Sequence, residues 1–252
     1  MLSQKATDFL TDLKVYLRTY GKDEKEIQEI VDELEDHILQ AEKDGKRIEE
    51  ITGDSPKAYM DQLRAEMKTD RKEIQSVLLL FFPLALAFVV LPDALRGKAA
   101  YTLLDIVGNL AAFSIGLGMF ILFLRMESSR TLSAFTRILM YGLIGAVPLG
   151  MFLGIKLAND YMEISPVFVA TPLQNVLIAA ACAIFLIGYA IFARTWVVIV
   201  VPCLSIAPNF IADIFTSTPQ NHAMVSLGIM FAGIALFLWY LSAQNKRKSK
   251  AS

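Results

Sequence analysis

The chain has 252 residues, 55% of them hydrophobic, and an overall net charge of −1. Soluble globular proteins contain about 45–50% apolar residues, so this composition favours a membrane protein. Residues 1–72 carry 13 Lys and Arg against 18 Asp and Glu, whereas the rest of the chain carries 11 against 7. An acidic N-terminal segment argues against direct nucleic-acid binding, because contacts with the phosphate backbone need basic side chains.

Two amphipathic helices are predicted first. Apolar residues recur every three or four positions over residues 3–20, the spacing of a helix with one buried face, and Gly21 is a suitable stop. A second apolar stripe follows an acidic first turn, where the helix dipole favours negative charge. It begins near residue 23 and ends at Gly45.

A third helix is predicted after a short linker that contains Ile48 and Ile51. Either Ser55 or Asp54 can cap it, and Pro56 suits its first position. Its apolar face is formed by Tyr59, Leu63 and Met67. Residues 1–70 are therefore predicted to form a three-helix bundle, whose small core would be marginal without support from the membrane part or a partner.

Six membrane spans are predicted after the bundle, each about as long as roughly 30 Å of hydrocarbon requires. They cover residues 75–92, 102–124, 134–157, 172–193, 195–215 and 223–243. The connection around Arg194 is so short that the fourth and fifth spans would form a hairpin. The predicted fold class is all-α: a cytosolic helical bundle, a transmembrane domain over residues 75–243, and a basic tail over residues 244–252.

The distribution of Lys and Arg predicts that both termini are cytoplasmic. With six spans and the N-terminus inside, eleven basic residues flank the cytoplasmic side and three flank the outer side. The cytoplasmic ones are Lys68, Arg71, Lys72, Arg125, Arg130, Arg137, Arg194, Lys246, Arg247, Lys248 and Lys250, and the outer ones are Arg96, Lys98 and Lys156. The protein is thus predicted to be a multi-pass protein of the cell membrane.

The second helix carries four acidic residues on one face, and this face has two interpretations. Glu29, Asp32, Glu33 and Asp36 either form a solvated surface or a docking face for a basic partner. His37 lies beside them, and its interpretation is either a solvated residue or a pH-sensing or metal-binding one. We call the four acidic residues the acidic face.

A second candidate site lies where polar residues cluster at the predicted outer ends of spans, since polar groups in spans often have a function. The candidate outer pocket consists of Asp105, Asn109, Lys156, Asn209 and Asp213. The alternative is that these groups are interfacial or paired across helices, for example Lys156 with Asp105 or Asp213.

Proline and glycine in the spans have their own interpretations. Pro148, Pro202 and Pro208 are predicted to interrupt their spans and to free backbone groups that often line cavities. Gly150 and Gly154 have the spacing that permits close packing of helices.

No motif for catalysis or for a cofactor is recognisable. There is no phosphate-binding loop, no dinucleotide fingerprint and no His-Glu-x-x-His sequence. Cys182 and Cys203 lie in apolar runs without a Cys-x-x-Cys motif, so neither a metal site nor a disulfide framework is predicted. We expect no enzymatic activity, no cofactor and no metal.

Two motifs stand out in the N-terminal segment, Glu-Leu-Glu-Asp-His-Ile-Leu-Gln-Ala and Gly-Asp-Ser-Pro-Lys-Ala-Tyr. With them, about residues 3–68 resemble the HAAS signalling domain of bacterial membrane proteins. The residues that match the family pattern are Leu34, Asp36, His37, Ile38, Gly53, Pro56 and Tyr59. The resemblance implies a role in signalling without catalysis, often together with PadR-type transcription regulators.

The sequence therefore predicts a bacterial membrane protein in which the bundle docks a cytosolic or membrane-bound regulator and the spans sense the envelope. The connection between Lys68 and Ile74 is predicted to relay the change. One alternative is a permease or transporter subunit that uses the candidate outer pocket. Another is a membrane scaffold. The bilayer is the one partner that all three interpretations share, and none of them specifies an oligomeric state.

Overall fold

The computed structural model describes residues 2–53, 55–130, 132–215 and 218–249, apart from the side chains at positions 73, 219, 220, 223, 238 and beyond 239. The fold is all-α, as predicted, with two very short strands. The chain divides into two compact units. The first unit contains Met1–Pro83 and Tyr101–Phe168, and the second contains Leu84–Ala100 and Val169–Ser252.

Four helices form the N-terminal part of the first unit, which we call the head: α1 (Gln4–Thr19), α2 (Glu24–Lys43), α3 (Glu49–Thr52) and α4 (Pro56–Glu66). Ser3, Asp23 and Ser55 cap the three longer helices, each by accepting a backbone N–H with its side-chain oxygen. The cap by Ser55 confirms one of the two predicted candidates, and the other, Asp54, lies outside the described residues.

The linker predicted around Ile51 was wrong in part, because residues 49–52 form the single helical turn α3. The Glu50 side chain accepts the Arg47 backbone N–H at 3.0 Å and so occupies a donor that the start of a helix leaves unpaired. A turn this short carries too little hydrophobic periodicity for the sequence to show it.

The core of the head is formed by the predicted apolar stripes. Leu13, Leu17, Ile27 and Ile38 are each 0% exposed. Met60 of α4 is 2% exposed and belongs to the same core, although the sequence had placed only its neighbours there. Full burial of side chains of this size contributes about 1.5–3 kcal/mol each, so the core can hold α1, α2 and α4 together.

Three long apolar helices begin in the first unit: α5 (Arg71–Leu95), α6 (Leu103–Ser129) and α7 (Ala134–Met162). The helix α5 starts before Ile74, so the predicted connection from Lys68 to Ile74 is half helical. Its first residues, up to Pro83, belong to the first unit and the remainder to the second.

Close packing of α6 against α7 depends on glycines of α6. A Cβ added at Gly108 would lie 2.6 Å from the Ile155 side chain, and one at Gly116 would lie 3.1 Å from Pro148. Gly150 and Gly154 do not take part in this contact. Apart from the neighbouring residues of α7 itself, no described atom comes within 4 Å of a Cβ built at either glycine, and the close packing that their spacing permits stays a prediction.

The second unit contains α8 (Pro172–Phe192), α9 (Val197–Phe215) and α10 (Pro219–Ser249), and α9 packs against both of the others. Pro202 and Pro208 lie within α9, as Pro148 lies within α7, yet each helix runs continuously through its prolines. The prediction that these prolines interrupt their spans was therefore wrong, because none of them ends a helix.

Two strands of two residues each, β1 (Ala100–Tyr101) and β2 (Phe168–Val169), pair with each other. One hydrogen bond of the pairing lies within the first unit, from the Val167 N–H to the Tyr101 carbonyl at 2.9 Å. Such short strands have no detectable alternation, and the sequence did not predict them.

Five of the described helices are long and apolar enough to cross a membrane. They are Ile74–Leu95, Leu103–Ser129, Ala134–Met162, Pro172–Phe192 and Val197–Phe215, and they match the first five predicted spans. The predicted sixth span falls in α10, whose assessable apolar stretch is the shorter Met224–Phe237. Of the remaining side chains of that span, only that of Trp239 is described, and it is exposed.

Candidate functional site

The most distinctive polar contact in the first unit joins the end of α1 to the end of α6. The Arg125 guanidinium donates a hydrogen bond of 2.6 Å to the Thr19 carbonyl. Its central carbon also lies 3.9 Å from the centre of the Tyr20 ring, within the range of a cation–π contact. The last carbonyls of a helix have no partner within it and attract positive charge. Arg125 therefore fastens the C-terminus of α1 to α6.

Arg125 has an unusual electrostatic environment. Its Nε atom is buried and makes no hydrogen bond, and the guanidinium has no carboxylate partner, both among the described residues. Tyr20 is also approached by the Arg64 guanidinium, whose carbon lies 4.5 Å from the ring centre. The positive charge of Arg125 is thus stabilised by the Tyr20 ring and by the Thr19 carbonyl. How strongly the charge is stabilised therefore depends on the position of the Tyr20 ring.

The same turn of the head is tied to the start of α5. The Gly21 carbonyl accepts the Asp70 N–H at 2.8 Å, and the buried Lys22 ammonium donates to the Met67 carbonyl at 2.7 Å. Gly21 has a φ of +65°, and a Cβ built there would lie 2.6 Å from the Ile74 side chain. Only glycine satisfies both conditions without strain. We call Thr19, Tyr20, Gly21, Ile74 and Arg125 the junction.

Acidic groups border the junction on α1 and α6. Partial burial and, to a smaller extent, the nearby negative charges of Asp8 and Glu127 together raise the pKa of Asp12 from 3.8 to about 6. Glu127 is paired with Arg137 of α7 at 3.0 Å. The contact between α1 and α6 thus brings like charges together. Its strength should therefore depend on pH.

A second hydrogen bond fixes α1 to α4. The Tyr16 hydroxyl donates to the Asp61 carboxylate at 2.5 Å, and the Tyr16 ring lies 5.0 Å from that of Tyr20. Burial, followed by this hydrogen bond, raises the pKa of Tyr16 well above its usual value. Tyr16 therefore stays protonated, and it supports Tyr20 in the position that Arg125 requires.

The acidic face lies on the opposite side of α2 from the core. Glu29, Asp32, Glu33 and Asp36 are all exposed, while Ile27, Val31, Leu34 and Ile38 on the other side of the helix are buried. His37 is exposed as well. The four carboxylates thus form a surface that solvent can reach, and the docking role given to them stays a prediction.

The candidate outer pocket divides between the two units. In the first unit, Asp105 caps α6: one oxygen accepts the Thr102 N–H at 2.8 Å and the Thr102 hydroxyl at 2.9 Å, and the other accepts the Asn159 amide of α7 at 2.7 Å. Asn109 is half-buried one turn further along α6, and Lys156 is exposed. The suggested pairing of Lys156 with Asp105 was wrong, because no ion pair joins them among the described residues.

In the second unit, the two remaining residues of the candidate outer pocket bond to α10. The Asn209 side-chain oxygen accepts a hydrogen bond of 3.0 Å from the Ser226 hydroxyl. The His222 Nε2 atom lies 2.8 Å from a carboxylate oxygen of Asp213, within hydrogen-bonding distance. These contacts join neighbouring helices within the unit, and the role of the five residues as a ligand pocket stays a prediction.

Asn175 is a structural residue whose importance the sequence did not indicate. It is 3% exposed, accepts the Ala99 N–H at 3.1 Å and donates to the Ala170 and Thr171 carbonyls. It thus provides hydrogen-bond partners for backbone groups just before β1 and just after β2. Among the described residues, no group of three or more His, Cys, Asp or Glu side chains is placed to hold a metal ion.

Comparison with known families concerns the membrane part. Residues 88–204 match the family described as the HAAS transmembrane region. The match begins within α5, ends within α9 and covers slightly less than half of the chain. Together with the five apolar helices, it supports a multi-pass helical membrane protein. No curated protein and no solved structure gave a match.

The match lies outside the N-terminal region that carries the resemblance to the HAAS signalling domain. It begins at residue 88, whereas the resembling motifs end near residue 68. That residues 3–68 form such a domain stays a prediction.

Proposed function

We propose that the protein is a non-enzymatic signalling or regulatory component of the bacterial cell membrane, with both termini in the cytoplasm. Its head would dock a basic partner through the acidic face. A change in the membrane part would reach the head through the junction. The match to the HAAS transmembrane region and the resemblance of the head to the HAAS signalling domain both support this proposal.

The observation that carries the proposal is the contact of Arg125 with Thr19 and Tyr20. A displacement or rotation of α6 moves the guanidinium directly, because Arg125 belongs to the last turns of that helix. The carbonyl and the ring are both at the end of α1, which packs against α2 in the core of the head. One side chain thus links an apolar helix to the helix that supports the acidic face.

The docking role is tested by reversing the charge of the acidic face. The variant replaces Glu29, Asp32, Glu33 and Asp36 with Lys in the full-length protein. We expect it to lose the cytosolic protein that co-purifies with the wild type from native membranes, and the transcription that the protein controls should change. Because all four positions are exposed, the variant should keep its helical circular dichroism.

A matched control reverses the same number of charges elsewhere on the head. Asp8, Asp44, Glu50 and Glu66 are also exposed acidic residues, and none belongs to the acidic face. The control should retain the partner. If both variants retain the partner and transcription is unchanged, the acidic face is only a solvated surface. If both lose the partner, overall charge and not this face is responsible.

A further inference from the structure

A groove adjoins the junction within the first unit. It has a volume of about 600 Å³ and lies between the end of α1, the first turns of α5 and the second half of α6. That volume falls within the roughly 300–1,000 Å³ of typical ligand pockets. Its walls are almost entirely apolar and include Val77, Leu78, Leu117, Phe120, Ile121 and Leu124, whereas Arg18 and Arg125 also line it.

The groove is amphipathic along its length. Arg125 lies at one end and Leu117 lies two helical turns away on α6, a separation of roughly 12 Å at 1.5 Å per residue. The apolar walls belong to two of the helices that are long enough to cross a membrane. An occupant of the groove must therefore combine a hydrocarbon segment with a group that suits a cation.

The charged side chains that line the groove are both arginines, Arg18 and Arg125, which favours an anionic occupant. Arg18 is paired with Glu24, but Arg125 has no acidic partner among the described residues. Lys68, Arg71 and Lys72 are exposed on the connection and the first turn of α5, and they form no ion pairs in the described part of the chain. A cation next to a membrane surface attracts anionic lipid, at about 1 kcal/mol for each Lys or Arg.

We propose that this groove binds an anionic phospholipid of the surrounding bilayer, with an acyl chain along α5 and α6 and the phosphate near Arg125. The lipid bridges the head and the apolar helices at the junction. Binding itself does not depend on the proposed signalling role. That the bound lipid acts as the input to the head does rest on it.

The experiment compares two lipids in bilayers of phosphatidylcholine that contain the full-length protein. Spin-labelled phosphatidylglycerol and spin-labelled phosphatidylcholine are added separately, and the immobilised fraction of each is measured by electron paramagnetic resonance. The wild type should prefer the anionic lipid by about fivefold, the factor that one membrane-surface cation provides. Equal immobilisation of the two lipids overturns the proposal.

Two variants and one control distinguish the groove from a diffuse basic surface. Arg125→Met should abolish most of the preference. Val77→Trp should do the same by filling the groove, since Val77 lines it and is 51% exposed, so the change leaves Arg125 and the core of the head untouched. Arg130→Met removes an exposed cation near the same end of α6 that does not line the groove, and the preference should persist.

The outcomes separate the lipid site from the proposed function. If Arg130→Met lowers the preference as much as Arg125→Met does, or if Val77→Trp has no effect, the groove is not the site. If lipid preference behaves as expected while the charge-reversed acidic face still retains its partner, the lipid site stands and the docking role fails.

Discussion

Replacing Arg125 with Met should loosen the end of α1 from α6. The variant keeps an unbranched side chain of similar length but loses the hydrogen bond to Thr19 and the contact with Tyr20. A hydrogen bond from a charged group contributes about 1.5–3 kcal/mol, and a cation–π contact about 0.5–2 kcal/mol. Against this, the wild type buries Nε without a partner, which costs about 1–3 kcal/mol and is relieved in the variant. The expected net loss is about 2 kcal/mol.

Hydrogen exchange measured by mass spectrometry on the full-length protein can test this value. A loss of about 2 kcal/mol should speed exchange in the last turn of α1 and at Gly21 by roughly 30-fold. The core of α2 should exchange at its wild-type rate. The control, Arg130→Met, removes a charge near the same helix end without touching α1, and should change nothing. Unchanged exchange in Arg125→Met would refute the reasoning that this residue fastens α1.

Three further predictions concern single residues. Because the pKa of Asp12 is raised to about 6, the folded head favours the protonated carboxyl over the carboxylate. The contribution of Asp12 to the stability of the head is therefore complete below pH 3.8, the usual pKa, and is lost as the pH rises through 6. Asp12→Asn should therefore flatten the pH dependence of hydrogen exchange in the head and stabilise the protein at neutral pH by about 1 kcal/mol at most, because solvent still reaches part of this side chain and screens its charge; an unaltered profile contradicts this. Gly21→Ala should lower the melting temperature in detergent far more than Gly45→Ala, because both have positive φ but only Gly21 also meets a side chain at 2.6 Å; equal effects would exclude a steric cause. Asn175→Ala should cost about 1–3 kcal/mol in thermal unfolding by leaving a buried backbone N–H unpaired, whereas exposed Gln174→Ala should cost clearly less, and the reverse order would contradict the role given to Asn175.

The head was predictable because its information is local. Leu13 in α1 and Ile38 in α2 each belong to a stripe of apolar residues at helical spacing, and both are fully buried in the core. The caps by Ser3 and Ser55 likewise depend on residues a few positions apart. Met60 was missed because it lies beside the predicted stripe of α4, and only the packing of three helices determines which of two neighbouring apolar residues is buried.

The junction could not be predicted, because its parts are far apart in the sequence. Arg125 and Thr19 are separated by 106 positions. In the sequence, Arg125 counted only as one of many basic residues that orient the chain in the membrane. Nothing in its neighbours indicates that it meets a tyrosine ring and a helix end, since both contacts exist only after α1 has packed on α6.

The sequence left two interpretations for the polar residues in the apolar helices, a ligand pocket or pairing across helices, and the structure gives several of them local partners. Asp105 closes a capping box with Thr102, a motif that can be recognised from sequence spacing alone. Asn159 and Ser226 supply partners from neighbouring helices, which the sequence does not pair. The sequence drew attention to Gly150 and Gly154 and not to the glycines of α6 that pack on α7, because a spacing of four permits close packing without specifying a neighbour.

The most direct test of coupling through the junction is the amount of cytosolic partner recovered with the full-length protein from native membranes. Wild type, Arg125→Met and Arg130→Met are compared at equal expression. If the junction links α6 to the acidic face, Arg125→Met should change partner recovery severalfold while Arg130→Met matches the wild type. Equal recovery in all three proteins, together with faster exchange at the end of α1 in Arg125→Met, would contradict the coupling, because the junction would then be open without any effect on the docking face.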